Sequence, residues 1–360
     1  MKKSIIIIVP SLKATSPVKG AFALANLLQE FNEVTILPLN SCSPSEELFL
    51  NKKKEIKVIY KLKFKKKDLI FNFLRLQSFF NTYFNTSNSY KIISFCLIPD
   101  IYNGLLRFKA EKISSIRANN IGNYFYSLGL IGVPLAIFHY LILNLMNSVV
   151  VMHQKMADQV SNYLINKRKI VIIPNFSDFR SIDYEIIYPS KEPFKIIYVG
   201  LINERKDPFS LLKPIKILKD KGYNITLEYF GEGELKEQLI EEIFSLELSN
   251  EVFVKGFSNE IYNHLMNSHL FVLPSFSEGL SRACLEALEY GIPCLIREIY
   301  GNSDVIKPSL NGYLFKNNND LVDKIEYFFL NFNYKQKRRN LLPSKYHREN
   351  IIRCYKKLIN

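Results

Sequence analysis

Glu278 and Glu286 sit in the run Phe271-Val-Leu-Pro274-Ser275-Phe276-Ser277-Glu278-Gly279-Leu280-Ser281, which continues in helical period to Tyr290. The E-x7-E spacing alone says nothing, because Glu47 and Glu55, and Glu234 and Glu242, share it. Context separates the first pair from the others. Residues 271–275 read as a buried strand, 276–280 as a tight turn with Gly279, and 281–290 as a helix stopped by Gly291 and then Pro293. Glu278 then precedes the helix and Glu286 lies within it. A separation of this size spans about 12 Å at helical rise, comparable to a sugar joined through a diphosphate to a ribose. One carboxylate would accept hydrogen bonds from sugar hydroxyls and the other from ribose hydroxyls. The diphosphate would lie over the helix N-terminus, where free N–H groups and a positive dipole suit an anion. Outside this motif Glu278 would read as a turn residue and Glu286 as a solvated helix-face charge.

Placing such a site requires a sheet with helices behind it. Apolar runs bounded by turn residues alternate with longer segments of helical period, the pattern of an α/β chain with parallel strands. The first series of strands is expected at 4–9, 33–37, 91–96, 112–116, 148–152 and 170–173. A second is expected at 195–199, 226–230, 252–254, 270–273 and 293–297, with residues 176–193 as the linker. The length of 360 residues, 48% of them apolar, fits two cores rather than one. The expected domains are therefore two doubly wound, Rossmann-like units, 1–178 and 179–344, facing across a cleft, with a helix at 345–360 packing back on the first. Five cysteines without C-x-x-C spacing argue against a disulfide framework or a zinc site. The apolar run after Lys2 and Lys3 is short and ends at Pro10, so it reads as a first buried strand rather than a signal peptide.

The charge is unevenly spread. Residues 1–180 carry 24 Lys and Arg against 10 Asp and Glu, whereas residues 181–360 carry 24 against 24. The densest block is Lys52, Lys53, Lys54, Lys57, Lys61, Lys63, Lys65, Lys66 and Lys67. It suits anionic lipid, nucleic acid or a phosphorylated acceptor, and equally a plain solvated lysine face. In the same half, residues 118–154 contain no charged side chain, and 128–146 is nearly continuous apolar sequence. Its length passes a test for a membrane span, but a crossing would put strands of one sheet in different compartments. A buried helix and a helix lying in the bilayer interface are the readings left.

The ordered series Ile173-Pro174-Asn175, Tyr198-Val199-Gly200 with Lys206, Phe230-Gly231-Glu-Gly233, Val254-Lys-Gly256-Phe257, the Glu278 run, Glu286-Ala-Leu, Gly291-Ile-Pro293, Gly301-Asn-Ser-Asp304 and Asn311-Gly312-Tyr313 resembles the retaining glycosyltransferases of group 1, family 4, with the GT-B fold. The resemblance covers most of the second half and only the outline of the first. It implies that Glu278 contacts the donor sugar, that Glu286 binds the ribose, and that the backbone of Gly279, Leu280 and Ser281 meets sugar and diphosphate. It implies donor contacts at Gly200 and Phe257, and that Lys206, with Arg205, neutralises the leaving diphosphate. Leu201 stands where the family often has a phosphate-binding Arg. In the first half, Gly20, opening a helix, is the acceptor-side candidate in place of a glycine-rich loop. Arg117 and Asn119 stand where the family commonly places a His near the sugar.

The activity this implies is transfer of a hexose-type sugar from a nucleoside-diphosphate sugar to an acceptor hydroxyl with retention, in surface-polysaccharide or lipid-linked glycan synthesis. Glu278, Lys206 and Arg117 would be the catalytic residues. No D-x-D motif is present, so no essential divalent metal and no cofactor besides the donor substrate is expected. Expected partners are the nucleotide sugar, a glycan or lipid-linked acceptor and an anionic membrane surface, and not nucleic acid. The enzyme would be cytoplasmic and peripheral at the inner face of the membrane. An epimerase or phosphorylase on the same fold, and a catalytically weak membrane adaptor, are the alternatives. Replacing Glu278 by Ala is expected to hurt turnover more than folding.

Overall fold

In the computed structural model the chain forms two compact units, Met1–Asn175 with Glu349–Asn360, and Phe176–Arg348. The structure describes residues 4–12, 15–40, 56–59, 68–84, 89–177, 188–189, 192–299, 301–334 and 337–360. Of the lysine block, only Lys57 falls within them. Most of the expected linker lies outside them.

The first unit is built on seven parallel strands in the order β3-β2-β1-β4-β5-β6-β7. They are β1 (Ser4–Val9), β2 (Glu33–Pro38), β3 (Lys57–Val58), β4 (Tyr90–Ser94), β5 (Ala110–Ser115), β6 (Ser148–Val151) and β7 (Ile170–Ile172). The run Ser-Ile-Ile-Ile-Ile-Val makes β1 a central strand because both of its faces can be buried, and Ile7 pairs with Ile36 on one side and Ile93 on the other. The helix Leu69–Tyr83 covers one face, setting Leu76 and Phe80 among Ile6, Ile8, Tyr90 and Phe108. The short edge strand β3 carries no periodicity of its own and was not expected from sequence.

The helix Arg348–Ile359 packs into this unit. Lys91 donates to the Leu358 carbonyl at 3.1 Å, and the Lys356 ammonium lies 4.0 Å from the Phe31 ring centroid. The first unit's main segment ends at Asn175 rather than at residue 178, and Asn175 is held there by a hydrogen bond from Arg117.

Between β5 and β6 the uncharged segment forms two helices, Asn120–Leu128 and Gly132–Ile142, joined by a single turn, Gly129–Ile131. β5 and β6 are direct neighbours, with Ile113 opposite Ser148. The chain therefore leaves and rejoins the same sheet, which excludes a bilayer crossing.

The second unit has six parallel strands in the order β10-β9-β8-β11-β12-β13. They are β8 (Phe194–Val199), β9 (Ile225–Phe230), β10 (Val252–Gly256), β11 (Leu270–Leu273), β12 (Cys294–Arg297) and β13 (Gly312–Phe315). β13 is short and starts at a glycine, so its sequence signal is weak. Strand order reverses between β8 and β11, so the chain departs to opposite sides there and leaves a crevice at the carboxyl ends of those two strands. The loops after β8 and β9 approach so closely that a side chain at Gly231, where φ is +152°, would collide with the Gly200 carbonyl.

Candidate active site

β8 ends at Val199, and the Gly200 N–H donates to the Phe230 carbonyl at 3.0 Å, fixing where the following loop departs. Asn203 then caps the single 3-10 turn Glu204–Lys206, its side-chain oxygen accepting from the Lys206 N–H at 3.1 Å. Asp207, left-handed at φ +48°, ends that turn. This local geometry sends Lys206 inward, where it is only 8% exposed.

β11, next to β8, runs through Pro274 into the turn that carries Glu278. The two loops are tied by the Phe276 N–H donating to the Arg205 carbonyl at 2.9 Å and by Arg205 donating to the Ser277 carbonyl at 2.6 Å. Lys206 pairs with the Glu278 carboxylate, and Arg205 reaches the same oxygen at 3.4 Å. Ser281 caps the helix Arg282–Glu289, accepting from the Cys284 N–H at 3.4 Å. Gly279 and Leu280, both buried, lie between Glu278 and that cap, and Glu286, one turn into the helix, is part-buried. Phe257 follows β10 and exposes its ring, while its N–H donates to the Glu232 carboxylate at 3.3 Å.

Burial pushes the Lys206 ammonium below its ordinary pKa, and the Glu278 charge opposes that shift. Burial alone would raise the Glu278 carboxyl, but Lys206 and Arg205 together outweigh it and hold it below the usual range. Two cations against one carboxylate leave the cluster one positive charge in excess, with Leu201, 52% exposed, on the same loop. An anion of the diphosphate type matches that excess, and the carboxylate can accept from hydroxyl donors.

Arg297, at the carboxyl end of β12, was not singled out from sequence. Its guanidinium pairs with Asp207, donates through Nε to the Pro274 carbonyl at 2.7 Å and lies 4.6 Å from the Phe276 ring centroid. It thus joins the loop that carries Lys206 to the loop that carries Glu278. The available signal was its position, since residue 297 ends an expected strand of the same series.

The three first-unit candidates lie on β5's continuation and on the first helix. Arg117 donates to the Ser115 hydroxyl at 2.8 Å, to Asn175 at 3.0 Å and to the Tyr355 hydroxyl. It clamps the last helix and the end of the unit's main segment with three of its five N–H donors. Asn119 caps the helix Asn120–Leu128 by accepting from the Gly122 N–H at 3.3 Å. Gly20 does not open its helix, which spans Ser16–Leu28 and has Pro17 in its first turn. A Cβ added at Gly20 meets nothing within 4 Å, so no close backbone approach demands glycine there. Among the described residues no three His, Cys, Asp or Glu side chains are grouped as metal ligands.

Residues 183–343 match the family model described as glycosyl transferases group 1. A UDP-Gal:alpha-D-GlcNAc-diphosphoundecaprenol alpha-1,3-galactosyltransferase of Escherichia coli is 27% identical over 171 residues, which cover 44% of this chain and 44% of that protein. Across the first relatives matched, the chain spans less than half of their length, 41%, 44% and 46%. The solved structure of TarM superposes with a TM-score of 0.81 at 16% identity, covering 100% of this chain and 99% of that one. Anabaena Alr3699/HepE in complex with UDP superposes with a TM-score of 0.78 at 14% identity and covers 100% and 99%. At these identities the likeness is one of fold, the GT-B architecture of two parallel-sheet units.

Proposed function

We propose, from the match of residues 183–343 to the group 1 glycosyl transferases, that the chain transfers a hexose-type sugar from a nucleoside-diphosphate sugar to an acceptor hydroxyl with retention of anomeric configuration. The observation that carries this is the convergence of Lys206 and Arg205 on Glu278 at the switch point of the six-stranded sheet, beside the capped helix Arg282–Glu289. The donor diphosphate takes over the two cations, and the sugar hydroxyls donate to the carboxylate that those cations release. In the reaction the bond from the anomeric carbon to the diphosphate oxygen breaks as the acceptor oxygen bonds to the same face of that carbon. The acceptor proton passes to the departing diphosphate. Lys206 and Arg205 stabilise the charge developing on the leaving group, which is where preorganised donors are worth most. Glu286 holds the ribose, and these cations do the work a divalent metal does elsewhere.

Two relatives act, by their names, on polymer or lipid-linked glycans, the diphosphoundecaprenol galactosyltransferase and a poly(ribitol-phosphate) alpha-N-acetylglucosaminyltransferase of Staphylococcus aureus. We assign this chain an acceptor of that class, a glycan or lipid-linked glycan at the inner face of a membrane, with the basic first unit held at the anionic surface. The test is calorimetric titration with UDP, GDP, ADP and CDP, with and without a chelator. One nucleoside diphosphate should bind the wild type regardless of chelator and bind Lys206→Ala much more weakly. Equal affinity of wild type and variant for every nucleotide would remove the cluster from the donor site.

A further inference from the structure

We propose that the helix Gly132–Ile142 is an interfacial membrane helix, lying along an anionic bilayer with its exposed stripe immersed and the basic turn beside its end on the lipid headgroups. This deepens the membrane reading above and rests on it. The 26-residue apolar segment Asn120–Leu145 is only 28% buried over its most apolar stretch, so it is not a core helix. Its two helices are antiparallel: Asn120 faces His139 at 3.0 Å, and a Cβ on Gly132 would collide with the Tyr124 backbone. The turn between them leaves Leu130 81% and Ile131 80% exposed. From that turn Ile131, Pro134, Phe138, Leu141 and Leu145, all exposed, follow one another at helical spacing. They form one apolar stripe about 21 Å long at helical rise.

The opposite face is anchored, which lets the stripe enter lipid without the hairpin unfolding into it. His139 is buried and meets the Asp100 carboxylate at 2.7 Å, and its other ring nitrogen faces Asn120 at 3.0 Å and Tyr124 at 3.2 Å. Asp100 in turn accepts from Ser94 at 2.6 Å and from Ser114 at 2.9 Å, on β4 and β5. The polar groups of this face are therefore bonded to the sheet.

Charge decides the occupant. At the far end of the stripe Asn144 binds the loop before β7, donating to the Tyr163 carbonyl at 2.9 Å and accepting from the Ile165 N–H at 2.8 Å. That loop presents Ile165, 94% exposed, and then the exposed Lys167 and Arg168. Arg107 and Lys109 are exposed next to Leu105, just after the helix whose Gly104 lies under Leu145. An uncharged apolar stripe ending in four exposed cations, with no acidic residue from 118 to 154, complements an anionic lipid surface.

The chain contains no tryptophan, so Phe138→Trp supplies a single emission reporter. The probe is vesicles of phosphatidylglycerol and phosphatidylcholine in equal parts, against phosphatidylcholine alone. The variant should sediment with the anionic vesicles, shift its emission to the blue and be quenched by lipids brominated in the acyl chain. Leu141→Glu should lower vesicle binding by roughly tenfold or more, and Lys167→Gln with Arg168→Gln should remove much of the salt-sensitive part. Both variants should keep wild-type nucleotide binding, which separates a failed surface from a failed donor site. Sedimentation of Phe138→Trp with its indole unquenched would leave the membrane reading standing and overturn the helix as the contact. No sedimentation at low salt would overturn both. Self-association that Leu141→Glu abolishes in the absence of lipid would also overturn the proposal, by making a second copy the occupant.

Discussion

Replacing Glu278 by Gln keeps the shape of the side chain and removes its charge. In the folded protein this strands Lys206, 8% exposed and oriented by its own turn cap, next to the second cation Arg205. Breaking a buried ion pair by removing one partner costs about 3 to 5 kcal/mol, more than the pair itself contributes against an apolar replacement. For a unit of this size that lowers the midpoint of thermal unfolding by roughly 6 to 20 °C. The pH dependence follows from Lys206. Burial already depresses its folded pKa, and Glu278 is the charge that opposes the shift, so the variant's lysine is depressed further. A lysine with a depressed folded pKa binds fewer protons folded than unfolded, so stability rises with pH from the folded pKa up to the ordinary value of 10.5. The deficit of Glu278→Gln should therefore be largest near neutral pH and shrink in alkali. Urea unfolding at pH 7 and pH 9.5 of wild type, Glu278→Gln, Lys206→Met and the double variant measures this. The double variant should be more stable than Glu278→Gln alone at pH 7. If Glu278→Gln loses less than about 1 kcal/mol, or the double variant is no better, the two side chains do not form a buried pair and the reasoning fails.

Lys206→Ala should lower turnover by roughly 100-fold or more, since its charge acts on the leaving group as it forms; steady-state release of nucleoside diphosphate reads this, and a change in thermal stability alone would make the lysine structural. Glu286→Gln should weaken donor binding by about 1.5 to 3 kcal/mol, the worth of a charged hydrogen bond, and calorimetric titration with the cognate nucleotide checks it. Arg297→Leu should lower kcat/KM and weaken nucleotide binding through misplacement of both loops, with some loss of stability because Asp207 is left without its partner, and Arg297→Lys, which keeps the pairing to Asp207 without the fork, should recover only part of each; steady-state kinetics and calorimetric titration check this.

The strands of both units were legible because buried parallel strands read as continuous apolar runs, as in 4–9 and 270–273. The turn and cap around Glu278 were legible because Gly279, Ser281 and Gly291 punctuate them locally. What was not legible is pairing across the sequence. Lys206 and Glu278 meet only because β8 and β11 are neighbours. The expectation that Glu278→Ala hurts turnover more than folding reads that residue without its partner, and the buried pair adds a stability cost to the effect. Arg117 offered the same difficulty, since its three acceptors come from residues 115, 175 and 355. Gly20 is not a helix start because the proline at position 17 sits in the first turn and the helix begins at Ser16. For residues 118–154 composition allowed several readings, and the adjacency of β5 and β6 excludes a bilayer crossing.

The central claim, sugar transfer from a nucleoside-diphosphate donor at the Lys206–Glu278 cluster, is tested most directly by incubating the protein with a panel of labelled nucleotide sugars and a membrane lipid extract. One donor should label an acceptor, with nucleoside diphosphate released in equal amount, the anomeric configuration retained in the product, and both signals lost in Lys206→Ala. Release of nucleoside monophosphate, inversion at the anomeric carbon, or full transfer by Lys206→Ala would contradict it.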